Sequence, residues 1–154
     1  MSEKKSILII DDHPLFREGL KVIIERDSKF EVVGEVGNGR QGLQLTKKLK
    51  PDMIIVDISL PDLSGLQLTR EIRTLFSKTR ILIVSMHSKI DYIAEAFQAG
   101  ANGYVVKESA SEKLVQGLES IVRGDYFLDL SVSHAVVENL MKSALKEATI
   151  TEAD

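Results

Sequence analysis

The stretch Pro51-Asp52-Met53-Ile54-Ile55-Val56-Asp57-Ile58-Ser59-Leu60-Pro61-Asp62-Leu63-Ser64-Gly65 decides the fold. Met53 to Val56 is an unbroken apolar run of strand length, with prolines on both sides at positions 51 and 61. Apolarity without alternation means that both faces of the strand are covered, as at the centre of a parallel sheet. The run ends at a carboxylate, Asp57, and a loop holding Ser59, Asp62 and Gly65 follows. Ligands of open parallel sheets sit at the carboxyl ends of the strands, so Asp57 stands where chemistry is expected.

The same unit recurs on either side. Ser6 to Ile10 is apolar and runs into Asp11-Asp12-His13-Pro14. Pro14 suits a first helical turn, and Phe16, Leu20, Ile23 and Ile24 then recur at helical spacing. Phe30 to Val36 alternates through Glu31 and Glu35, as a half-covered edge strand does. Leu68, Ile72, Leu75 and Phe76 mark a helix after the central strand. Arg80 to Val84 is a fourth strand ending at Ser85, and Tyr104 to Val106 a fifth ending at Lys107. Ser88 with Asp91, and Ser109 with Glu112, have the spacing of capping boxes, while Gly100 and Gly124 close the helices those boxes open. Five strand–helix units imply βαβ crossovers. The expected fold is α/β, a five-stranded parallel sheet of flavodoxin-like order 2-1-3-4-5 with helices on both faces.

Composition narrows the function. A chain of 154 residues with net charge −3 and no run of Lys or Arg is not built to grip a nucleic-acid backbone or an anionic membrane. With no cysteine there is no disulfide framework and no thiolate nucleophile, and a reducing, cytoplasmic setting is expected. No apolar stretch approaches a membrane span. His13, His87 and His134 are scattered without the spacing of a transition-metal site, and His87 reads as an exposed loop residue. Met53, Met86 and Met141 read as core or helix-face residues.

What ends each strand matters more. Strands one, three, four and five end in Asp11-Asp12, Asp57, Ser85 and Lys107, whereas the edge strand ends in nothing reactive. In the order 2-1-3-4-5 these four tips lie side by side at the switch point between strands one and three. Three carboxylates in one crevice repel unless a cation is present, and a low count of oxygen ligands suits Mg²⁺.

Asp11-Asp12, Asp57 with Leu60-Pro61 and Gly65, Ser85, and Gly100-Ala101-Asn102-Gly103-Tyr104-Val105-Val106-Lys107 together resemble the receiver domain of two-component response regulators, a flavodoxin-like (CheY-like) fold. The resemblance covers about residues 5 to 124. Asp-Asp-His13-Pro14 and Gly-Tyr-Val-Val-Lys are similar to the NarL/FixJ subgroup, whose receivers are joined to LuxR-type helix-turn-helix domains. The resemblance implies that Asp57 accepts a phosphoryl group from the phosphohistidine of a sensor histidine kinase. It implies Mg²⁺ held by Asp11, Asp12, Asp57 and the backbone carbonyl of Ser59, with Lys107 and Ser85 on the phosphoryl oxygens. Tyr104 is implied to be a switch residue that moves with Ser85, and a homodimer on activation is implied as well. Such a domain is not an enzyme toward other substrates and catalyses only its own phosphorylation and dephosphorylation. In many receivers the corresponding lysine precedes proline, whereas Glu108 follows Lys107 here.

A rival from another class is an aspartate-nucleophile phosphatase, which places a second Asp two residues after the nucleophile. That position is Ser59, so the rival lacks its acid. Residues 1–124 are thus expected to be the receiver and 125–154 a linker. In that linker Ser131 or Ser133 would cap an amphipathic helix carrying Val137, Leu140, Met141 and Ala144. The helix would either pack on the receiver's own surface or lead to an effector domain absent from this chain, through which alone DNA would be bound. The alternative is a stand-alone receiver acting through a protein partner.

Overall fold

The computed structural model describes residues 3–129 and Lys142. Six parallel strands form one sheet in the order β2-β1-β3-β4-β5-β6. In chain order the elements are β1 (Lys5–Ile10), α1 (Pro14–Glu25), β2 (Phe30–Val36), α2 (Gly39–Leu49), β3 (Met53–Val56) and α3 (Gly65–Leu75). Then come β4 (Arg80–Ser85), α4 (Ile90–Gln98), β5 (Gly103–Val106), a single 3-10 turn (Lys107–Ser109), α5 (Ala110–Val122) and β6 (Phe127–Leu128). The five expected strands and their order are present. The sixth was not foreseen.

Strand periodicity explains the two cores. Ile7 and Ile9 point to one face with Met53, Ile55, Leu82 and Val84, where Leu20 and Ile24 of α1 and Leu114, Leu118 and Ile121 of α5 cover them. Leu8 and Ile10 point the other way with Ile54, Val56, Ile81 and Ile83, under Leu68 and Ile72 of α3 and Ile93 and Ala96 of α4. Each such aliphatic side chain, fully buried, stabilises the fold by about 1.5–3 kcal/mol. Because β3 sits mid-sheet, all four of its residues are buried, which is why its sequence does not alternate. β2, at the edge, is only intermittently buried.

Local signals held in part. Pro14 opens α1 and Gly100 follows α4 with φ +109. A Cβ at Gly100 would also lie 2.8 Å from Cγ of Arg73, whose guanidinium is tied to the Gly100 carbonyl and Asn102 Oδ1. The expected capping boxes are not formed. The residue before α4 is Lys89, not Ser88, and no side chain caps that helix. Ser109 does stand at the start of α5, but its hydroxyl lies against the Val106 carbonyl (3.2 Å) and the Asp129 carboxylate. Met53 is in the core, whereas Met86 is 62% exposed on the loop after β4. Met141, His134 and the expected helix after Ser131 lie outside the described residues. No described helix is long and apolar enough to cross a membrane.

Candidate functional site

The turn after β1 brings Asp11 and Asp12 beside the end of β3, because β1 and β3 pair in register from Ile7↔Met53 to Ile10↔Val56. The next residue, Asp57, donates its N–H to the Ile10 carbonyl at 3.0 Å, which extends that ladder by one bond. Asp57 is 2% exposed and Asp11 1%. Lys107, just past β5, reaches back across the sheet. Its Nζ lies 2.8 Å from Asp11 Oδ2 and 3.0 Å from Asp57 Oδ2. The ring of Phe16 underlies the ammonium at 4.4 Å. The peptide after Lys107 is trans, as is every other described peptide.

Burial pushes the Asp57 carboxyl above its ordinary value, the Lys107 hydrogen bond and charge pull it back, and the Asp11 charge adds to the rise. One ammonium therefore shares two buried carboxylates. Asp12 is 34% exposed as a side chain, yet its Oδ1 is shielded from solvent and has no hydrogen-bond partner. Such an orphaned carboxylate oxygen beside two more carboxylates fits a divalent cation with oxygen ligands. Asp11, Asp12, His13 and Asp57 each offer one donor atom, all within 4.8 Å of one another.

The loop after β3 is shaped by two contacts. Ser59 donates its N–H to Asp57 Oδ1 (3.2 Å), and Gly65 donates to the Ile58 carbonyl (2.8 Å). A Cβ at Gly65 would fall 2.0 Å from the Asp57 carbonyl oxygen, so only glycine admits this close approach. Asp62 accepts N–H bonds from Gly39 (2.8 Å) and Arg40 (3.0 Å) at the start of α2, which lower its pKa.

Asp11, Asp12, Asp57 and Lys107 thus meet as the strand-end argument required. Ser85 is buried at the end of β4, level with Val106 in the neighbouring strand, and its Oγ accepts the His87 N–H at 3.1 Å. Tyr104 is fully buried, its ring already turned inward.

His13 was not named among the candidate ligands; its Nδ1 lies 3.1 Å from Asp11, 3.2 Å from Asp12 and 3.8 Å from Asp57, so it faces the same crevice. Its place between the acidic pair and a helix-starting proline was the available signal. His87 lies in the loop after β4, as expected, but is half-buried: its ring stacks on Tyr92 (4.1 Å, 18°) and its Nε2 lies 3.3 Å from Ser59 Oγ.

A doubly wound parallel sheet with an acidic, lysine-bridged crevice at its switch point is the class that fold and geometry define. The chain belongs to the response regulator receiver domain family, whose model matches residues 7–119. It is 33% identical over 135 residues to the transcriptional regulatory protein DegU of Brevibacillus brevis, covering 88% of this chain and 57% of that one. It is 34% identical over 152 residues to the nitrate/nitrite response regulator protein NarL of Escherichia coli K12, covering 99% of this chain and 68% of that one. The crystal structure of a LuxR-family two-component response regulator from Aurantimonas sp. SI85-9A1 superposes with TM-score 0.82 at 34% identity, covering 93% of this chain and 99% of that one. The chain thus spans under two thirds of the DegU protein's length.

Proposed function

We propose that Asp57 accepts a phosphoryl group from the phosphohistidine of a sensor histidine kinase, and that the resulting change around Ser85 controls a transcriptional output. One observation carries this reading: a nearly solvent-free Asp57, hydrogen-bonded to Lys107, beside two further carboxylates at the switch point. The phosphorus–nitrogen bond of the donor breaks as an Asp57 oxygen–phosphorus bond forms.

A carboxylate is a modest nucleophile, so this chain must act by positioning and by meeting charge. Asp12, Asp57 and the Ser59 carbonyl would hold Mg²⁺, with Asp11 reaching it directly or through water. The ion would supply charge neutralisation at the transferring group. Lys107 holds Asp57 in place before transfer and follows a phosphoryl oxygen afterwards, as a point charge on a flexible stem can. Ser85 Oγ has a proton to give to another phosphoryl oxygen. That contact exists only in the phosphorylated state, so it is the kind of difference that shifts a population. The chain's chemistry would be confined to its own phosphorylation and dephosphorylation.

The DegU relative is a transcriptional regulatory protein, which supports an effector domain elsewhere in the protein as the route to DNA. A homodimer formed on activation fits that output. To test the acceptor, the chain is treated with a small phosphodonor and Mg²⁺, reduced with borohydride and mapped by peptide mass spectrometry. Position 57 should become homoserine. Homoserine at another aspartate, or none, contradicts the assignment.

A further inference from the structure

We propose that His13 sets the metal specificity of the acidic crevice. Its Nδ1 joins Asp11, Asp12 and Asp57 as a nitrogen donor, so the crevice takes borderline transition dications such as Co²⁺ and Zn²⁺, as well as harder Mn²⁺, with direct imidazole ligation. This rests on the reading of the crevice as a divalent-cation site.

Donors bound to one ion at about 2.1 Å stand about 3–4 Å apart. His13 Nδ1 meets that spacing with Asp11 (3.1 Å), Asp12 (3.2 Å) and Asp57 (3.8 Å). A cation already occupies this neighbourhood: the Lys107 ammonium lies 3.0 Å from His13 Nδ1, 2.8 Å from Asp11 Oδ2 and 3.0 Å from Asp57 Oδ2. Toward the ammonium Nδ1 would present its lone pair, the electron pair a metal would take; toward Asp11 Oδ1 at 3.1 Å the same nitrogen would donate, so a bound metal replaces that contact. Asp12 Oδ1, 3.2 Å from Nδ1 and without a hydrogen bond of its own, is a further oxygen donor at the same spot.

The backbone that carries the ring is held in place: the His13 backbone N–H donates to Asp11 Oδ1 at 2.8 Å, and Pro14 begins α1 immediately afterwards. Carboxylates alone suit Mg²⁺, Ca²⁺ and Mn²⁺, whereas an imidazole raises affinity for the later transition metals. The His13 side chain is 59% exposed, so replacing it removes the donor and little packing.

The test uses the full chain with substoichiometric Mn²⁺. Pulsed electron paramagnetic resonance of the bound ion should show modulation from a directly coordinated imidazole nitrogen. His13→Gln should still bind Mn²⁺ but lose that modulation, with an unchanged melting curve. By calorimetry the same variant should bind Co²⁺ about tenfold more weakly or worse, while Mg²⁺ affinity changes by less than about threefold. Bound Mn²⁺ without nitrogen modulation, or modulation that persists in His13→Gln, overturns the role of His13 and leaves the cation site standing. Failure of Mn²⁺ to bind, or binding undiminished in Asp12→Asn, overturns the cation site and this inference with it.

Discussion

The Tyr104 hydroxyl donates a 2.6 Å hydrogen bond to the backbone carbonyl of His87. His87 is held at its other end too, since its N–H donates to Ser85 Oγ. One residue therefore links the end of β4 to the ring buried under β5, and its own ring stacks on Tyr92 of α4. Burial raises the Tyr104 pKa to about 12, so its hydroxyl keeps its proton and remains a donor. If Ser85 turns toward a phosphorylated Asp57, the His87 loop must give up or re-form this bond. That is a physical route from the acidic crevice to α4.

Tyr104→Phe removes the donor and leaves the His87 carbonyl unpaired. The expected loss is about 1 kcal/mol in urea melts, with faster amide exchange in the loop after β4. Unchanged exchange there would mean that the bond does not hold the loop.

Gly65→Ala should do more harm than its size suggests. The new methyl would meet the Asp57 carbonyl oxygen at 2.0 Å, a clash with backbone that cannot swing aside. Overpacking of this kind costs about 1–3 kcal/mol or more, and phosphoryl uptake should fall with it. Thermal melts and uptake rates check both.

Glu35 gives a pH dependence away from the crevice. The Lys21 ammonium at 2.8 Å, and then Arg17 at 3.1 Å, hold its carboxyl below the ordinary 4.5. A depressed carboxylate stabilises the fold fully above its unfolded pKa and loses that contribution as pH falls through the folded value. The side chain is 25% exposed, so solvent screening keeps the effect to about 0.5 kcal/mol. Urea melts should show Glu35→Gln weaker than the parent at neutral pH. The gap should close as pH drops below about 4.5; a gap independent of pH would contradict the pairing.

Asp129 is fully buried just after β6. Its N–H donates to the Tyr104 carbonyl at 3.0 Å, and its carboxylate accepts the Val106 N–H at 3.4 Å and the Ser109 hydroxyl. Asp129→Ala should cost about 1–3 kcal/mol by leaving the buried Val106 N–H without its carboxylate acceptor. Hydrogen exchange should rise first at Val106, next to Lys107.

These cases show which parts of the molecule could be read in advance. β1, β3 and β4 were legible because strands covered on both faces are continuously apolar, and their polar tips line up once the order is known. β6 was not. Two residues, Phe127 and Leu128, between Tyr126 and Asp129 carry no strand period, and they become a strand only because β5 offers an open edge. The capping signals failed for a related reason: Ser109 has the right spacing, but buried Asp129 competes for its hydroxyl. His13 meets Lys107 across 94 positions of sequence, a distance no local pattern spans.

The central claim concerns Asp57, and intact-mass measurement tests it most directly. The chain is incubated with a small phosphodonor and Mg²⁺, in parallel with Asp57→Ala and with the parent chain in excess chelator. The account predicts a mass gain of one phosphoryl group in the parent alone, lost both in Asp57→Ala and in chelator. Uptake that is undiminished in either control would contradict it.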